Sequence, residues 1–177
     1  MAKIKVDDLI YDNSGTDVTL DLTTAFDNLG KAIKIHHFEY NTRTGTAASA
    51  DVNHFTWTTE FSPVDAANNS FVITASVPAN GKSQDWTGYG LRFYGNTTKD
   101  FVSYGNFYAD QYSGYMTTYG MHYHLGAGAL PTSSNQTIYF RQYTANSEPD
   151  WFCPNSSDNS RLSAQTRAFL TITEYKN

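Results

Sequence analysis

Cysteine occurs once, at Cys153, so no internal disulfide can staple the 177-residue chain and its stability must come from packing. Charge is also scarce: charged residues are 16% of the chain, against about 25% in an ordinary domain. Twelve basic residues against seventeen acidic ones leave a net charge of −5. Such a chain offers no dense basic surface, which excludes nucleic acid as a partner. Helix-filling residues are few. Only four of the acids are Glu (Glu39, Glu60, Glu148 and Glu174), and threonine far outnumbers leucine. No apolar run approaches membrane-spanning length and no basic-then-apolar leader opens the chain, so membrane insertion is not expected. A soluble protein made in a cytoplasm fits, as does a particle assembled there and later released.

What the chain has instead is hydroxyl, amide and aromatic side chains. Thirteen Tyr, eleven Phe and three Trp make it 15% aromatic, a composition that suits half-buried pleated strands. Alternation follows. Phe55, Trp57, Thr59 and Phe61 oppose His54, Thr56, Thr58 and Glu60, and Phe71, Ile73, Ala75 and Val77 repeat the pattern up to Pro78-Ala79-Asn80-Gly81. Further runs cover Leu91–Tyr94, Phe101–Tyr108, Tyr115–Leu125, Thr137–Tyr143 and Ala168–Glu174. About eight strands with turn signals between them predict an all-β, antiparallel, jelly-roll-like sandwich over residues 31–177. Phe55, Trp57, Phe61, Phe71, Ile73, Leu91, Phe93, Phe140, Leu170 and Ile172 are its expected core. Ile33 and Ile35 fall on the opposite phase from Phe38 and Tyr40, so a bulge near His36–His37 is expected to bring them together.

Residues 1–30 read differently. Ile4–Tyr11 and Val18–Leu22 flank the turn cluster Asp12-Asn13-Ser14-Gly15-Thr16-Asp17, which predicts a strand or hairpin arm. The arm is poor in aromatics, and a lone two-stranded hairpin is marginal in water. It therefore needs cover, either from the body of its own chain or, as we prefer, from a neighbouring subunit.

Catalytic chemistry finds little to work with. Glu60 and Glu174 read as solvated strand positions, and spacing alone pairs no two carboxylates. Cys153, between aromatic and proline neighbours, reads as a buried structural thiol without an adjacent base. No nucleophile elbow or phosphate loop occurs. An enzyme is not expected, nor is any cofactor. His122 and His124 share a strand face and are the weak candidates for a metal site; we read them as polar positions on the solvent face and expect no metal. His36 and His37 point oppositely.

Binding has more support. The tyrosines from Tyr89 to Tyr143 exceed what one core is expected to hold, and Tyr and Trp with Asn, Ser and Gly make an adaptable recognition surface. Oligomer packing would use the same residues. The stretches Gly126–Asn135 and Trp151–Asn159 are the most loop-like, and loops at one end of a sandwich cluster. Trp86, Trp151, Asn155 and Asp158 are the candidate receptor or glycan contacts. The alternative, in which Trp151 caps the core beneath its loop, suits the residue equally well.

The arm phrase Val6-Asp7-Asp8-Leu9-Ile10-Tyr11-Asp12-Asn13-Ser14-Gly15-Thr16-Asp17-Val18-Thr19-Leu20 precedes an all-β module. Within that module, Tyr40-Asn41-Thr42-Arg43-Thr44-Gly45-Thr46 leads to the aromatic strand Phe55-Thr56-Trp57, and Ala168–Tyr175 is the final strand. With these phrases the chain resembles fibre and virion structural proteins of tailed bacteriophages, especially marine cyanophages. The resemblance implies a homotrimeric, virion-located module. Residues 1–25 would dock on other virion proteins while the β-domain faces a host-surface receptor or glycan. No cofactor or catalytic residue comes with it. Fibre chains are usually long, and this one lacks a shaft, so a short fibre, a fibre tip or a capsid knob fits. A capsid decoration protein and a free-standing lectin-like domain are the alternatives.

Overall fold

A computed structural model describes residues 8–13, 16–21, 31–45, 50–80, 86–106, 116–143, 151–155 and 166–177. Its strands are β1 (Asp8–Asn13), β2 (Thr16–Asp21), β3 (Ala32–Tyr40), β4 (Thr44–Gly45), β5 (Val52–Phe61) and β6 (Ser70–Asn80). They continue with β7 (Trp86–Tyr94), β8 (Thr98–Asn106), β9 (Met116–Leu125), β10 (Gln136–Gln142), β11 (Trp151–Phe152) and β12 (Ala168–Tyr175). No helix occurs among the described residues.

One sheet runs β5-β10-β7-β8. In the other, β6 is the hub: β9 pairs along Phe71–Asn80, β12 along Ser70–Ser76, and β11 along Ala79–Asn80. Because β9 takes one whole edge of β6, β12 and β11 follow each other along the opposite edge, with β3 and β4 beyond them. Each sheet is thus four strands wide. Counting the long strands β3, β5 to β10 and β12 as first to eighth, the orders are 1-8-3-6 and 2-7-4-5. That is the antiparallel jelly roll, two interleaved Greek keys. β1 and β2 pair with each other in a sheet of their own, as the hairpin pattern predicts.

The inner faces hold the expected core, and all ten expected residues are buried. Period-two alternation explains this directly: along β6, Phe71, Ile73, Ala75, Val77 and Ala79 all face inward. Each fully buried large apolar side chain contributes about 1.5–3 kcal/mol relative to exposure. Aromatic stacking adds to it where Tyr40 lies on Phe55 at 4.0 Å and Tyr89 on Phe140 at 5.4 Å, both with planes 8° apart. Part of the tyrosine surplus is therefore core. Tyr89 and Tyr119 are buried, with ring centroids 4.6 Å apart, whereas Tyr94 is exposed. At Gly90 the strand β7 comes so close to β8 that an added Cβ would overlap the Phe101 carbonyl.

Two expectations fail. The β3–β12 register is unbroken from Tyr40 to Lys34, so there is no bulge at His36–His37. Ile33 and Ile35 stay on the outer face, 38% and 66% exposed. Glu174 is not solvated but fully buried, on the same strand phase as Leu170 and Ile172. Its carboxylate accepts hydrogen bonds from Val64 N and Asp65 N, each at 2.8 Å, and from Asn69 Nδ2 at 2.7 Å. It holds the β5–β6 turn against the sheet.

Candidate functional site

The strand directions sort the connections into two ends. At one end lie the β5–β6, β7–β8 and β9–β10 turns, which are tied to one another. Asn96 Oδ1 accepts from Thr132 N and Ser133 N at 3.1 and 3.2 Å, Gly128 N donates to Ala66 O at 2.9 Å, and Asn135 N donates to Ser62 Oγ at 3.0 Å. Leu130 is buried beneath them. Gly126–Asn135 is thus a braced segment at this end. It does not join Trp86 and Trp151, which lie at the opposite end; the expected clustering of these loops is corrected by the alternation of strand direction.

At that opposite end stand the starts of β5, β7 and β9 and the ends of β4, β6, β8 and β10, with β11 between β4 and β6. Trp151 pairs with Gly45 and Asn80, and Phe152 with Thr44 and Ala79. Alternation sends Phe152 inward, onto Phe140 at 5.0 Å and His54 at 4.8 Å, and Trp151 outward. Trp151 is half-buried beneath its own chain, with the Arg43 guanidinium carbon 3.3 Å from the ring centroid. The missing Cβ of Gly45 leaves room for the ring, since a methyl there would sit 3.1 Å from it. Asn155 is half-buried two residues past Cys153, whose φ is +48°. The backbone of Trp86 opens β7 opposite Asn106. Asp158 lies outside the described residues. Trp151, Asn155 and the start of β7 therefore share one end of the sandwich. Arg43 is the neighbour that sequence reasoning passed over; its position two residues before Gly45, on the same strand phase, was the available signal.

The outer faces carry two further polar groupings. On the β5-β10-β7-β8 sheet, Arg92 grips Asp100 with two hydrogen bonds at 2.7 and 2.8 Å, and Tyr143 Oη donates to the same carboxylate at 2.8 Å. These donors hold the Asp100 carboxyl below its ordinary pKa, with the Arg92 bond the largest cause. Arg141 donates to Asp51 Oδ1 and Asn53 Oδ1 at 2.8 and 2.9 Å. On the other sheet, cross-strand register sets His122, Thr74, Thr171 and His37 in one row. Thr74 Oγ1 lies 3.1 Å from His122 Nδ1, and Thr171 Oγ1 3.0 Å from His37 Nδ1. His124, next along β9, brings its Nε2 to 2.8 Å from His122 Nε2.

Cys153 is buried, and burial pushes its thiol up to about 11, with Sγ 3.6 Å from Tyr40 O. That is the setting of a structural thiol rather than an activated one. No group of three or more His, Cys, Asp or Glu gathers as a metal cluster among the described residues.

No family model matches the sequence, and no curated protein matches it. Among solved structures the chain is similar to a chain in the structure of infectious bursal disease virus, Gx strain, with 9% identity and a TM-score of 0.38. The likeness covers 100% of this chain and 42% of that one, so this chain spans less than half the viral chain's length.

Proposed function

We propose that this chain is a non-enzymatic structural protein of a bacteriophage virion, a short trimeric fibre or fibre-tip module that serves host attachment. In this reading residues 1–25 dock on other virion proteins and the sandwich presents the end that carries Trp86, Trp151 and Asn155 to a host receptor or glycan. The observation that carries it is the β1–β2 hairpin, which among the described residues forms a sheet of its own, apart from the two sheets of the eight-strand jelly roll. A two-stranded hairpin alone is marginal in water, so its stability calls for cover, which in this reading another subunit or another virion protein supplies rather than the chain's own body. The jelly roll adds a host fold common to capsid and lectin domains, which by itself does not assign a role.

The test is cross-linking from residues 1–25 in intact particles, with light scattering of the purified full-length chain. Cross-links to a portal, baseplate or adaptor protein, with a mass well above 19.8 kDa, support the fibre. Cross-links to the major capsid protein would instead make it a decoration protein that clamps capsomers. A clean monomer at micromolar concentration, cross-linking only to its own sandwich, overturns the reading in favour of a free-standing lectin. At the far end, Trp151→Ala is expected to abolish host adsorption per folded particle, with a loss of stability limited to the Arg43 contact and the half-buried ring.

A further inference from the structure

We propose that His122 and His124 form a bidentate imidazole site for a late first-row divalent cation, Cu²⁺ or Ni²⁺, on the outer face of β9. The two residues are i and i+2 in a strand, so both rings leave the same face, and both are exposed. Their Nε2 atoms converge to 2.8 Å, with ring centroids 4.8 Å apart and planes at 67°. Two imidazole nitrogens at that distance share a single hydrogen: one is N–H, the other offers its lone pair. When a cation binds, that hydrogen leaves Nε2 and the same ring takes up a proton at Nδ1 through water, so both rings stay neutral and both Nε2 lone pairs turn to the metal.

The separation also favours one coordination geometry. With metal–nitrogen bonds of about 2.05 Å, two ligands stand about 2.9 Å apart at a right angle and about 3.3 Å apart in a tetrahedron. The metal-free spacing of 2.8 Å is nearer the right angle of square-planar and tetragonal Cu²⁺ and Ni²⁺ than the wider angle of tetrahedral Zn²⁺.

The partner that orients the site is already in place. Thr74 is directly opposite His122 on β6, and its hydroxyl lies 3.1 Å from His122 Nδ1. Once Nε2 binds metal, Nδ1 carries the proton and donates to that hydroxyl, the outer-sphere bond that metal-ligating histidines usually make. Water fills the remaining positions. The site belongs to one chain and is independent of the virion role proposed above.

The experiment is calorimetric titration of the full-length, tag-free protein with Cu²⁺, Ni²⁺ and Zn²⁺, repeated on the His122→Asn/His124→Asn double variant. The solvent-facing substitutions are checked by metal-free melting. The wild type is expected to bind one Ni²⁺ per chain, more tightly than Zn²⁺, and the double variant to lose that equivalent. Thr74→Val should weaken Ni²⁺ about tenfold. For Cu²⁺, the wild type should show an electron paramagnetic resonance spectrum split by two nitrogens that the double variant lacks. Ni²⁺ binding unchanged in the double variant, one Ni²⁺ per three chains, or Zn²⁺ bound more tightly than Ni²⁺ would each overturn the proposal.

Discussion

Glu174 gives the most direct check on what holds this sandwich together. Its carboxylate is fully buried and accepts three hydrogen bonds of 2.7–2.8 Å from the β5–β6 turn. A hydrogen bond to a carboxylate contributes about 1.5–3 kcal/mol, and a buried donor left without an acceptor costs about 1–3 kcal/mol. Glu174→Ala strands the buried Asn69 amide and two backbone N–H groups at once, and opens a cavity beside Ile172. The contributions are not additive, because water can reach the turn once the side chain is gone; the expected loss is about 3–4 kcal/mol. Against a total stability of about 5–15 kcal/mol this is large, and for a domain of this size it lowers Tm by roughly 6–14 °C. Glu174→Gln preserves the shape but turns one acceptor into an NH₂ facing an N–H, so it should lose about half as much. Urea denaturation followed by tryptophan fluorescence, at fixed protein concentration, reads both variants as a shift in midpoint with an unchanged slope. If both stay within about 0.5 kcal/mol of the wild type, the turn is not held by this carboxylate.

Two other perturbations probe the same fold. Burial among Phe152, Tyr89 and Phe140 lowers the His54 pKa below 6.5, only partly offset by its 2.8 Å hydrogen bond to Gln142 Oε1. The unfolded chain therefore takes up this proton first as pH falls. Stability is full above about pH 6.5 and declines as pH drops from there through the folded-state value. His36, lowered by burial and by Lys34, acts in the same sense, so His54→Asn should reduce the loss of stability between pH 7.5 and 5 without removing it. A slope unchanged by the variant refutes the assignment. Ile35 and Ile73 provide a contrast of burial at constant chemistry, one 66% exposed on the outer face of β3 and the other fully buried. Ile73→Val should cost about 0.5–1.5 kcal/mol and Ile35→Val less than about 0.5 kcal/mol; equal costs in chemical denaturation would contradict the register of β3.

The sandwich was legible in the sequence because its strands obey one rule without interruption. Phe71, Ile73, Ala75 and Val77 alternate cleanly, and every residue expected in the core from such runs is there. In two places the rule conflicts with residue type. Ile33 and Ile35 are apolar, which favours a bulge to bury them; yet they occupy an edge strand, where one face can remain wet without unsatisfied backbone. Glu174 is charged, which favours solvent, although its parity with Leu170 and Ile172 puts it inside. Phase predicts the side of the sheet, whereas residue type predicts only whether that side will need a partner. For Glu174 the partner comes from Val64, Asp65 and Asn69, more than a hundred residues earlier, and no local pattern encodes it.

The same distinction separates the two candidate surfaces. The spacing of His122 and His124 determined that they share a face, but their convergence to 2.8 Å depends on χ angles set partly by Thr74, a contact across 48 residues. Trp151 shows the opposite balance. Its aromatic type suggested a stacking face, and the strand phase does turn it outward, opposite the core-facing Phe152. The ring is nonetheless covered by Arg43, because β4 pairs directly with β11 and places a guanidinium two residues from Gly45. A ligand stacking on that face of Trp151 must first move Arg43 and replace a cation–π contact of about 0.5–2 kcal/mol. On the proposed attachment role, Arg43→Ala therefore separates two functions for this cation. If Arg43 only shields the ring, its removal strengthens adsorption; if the guanidinium itself contacts an acidic receptor group, its removal weakens adsorption as Trp151→Ala does. Adsorption unchanged by Arg43→Ala but lost in Trp151→Ala would place the contact away from the covered face.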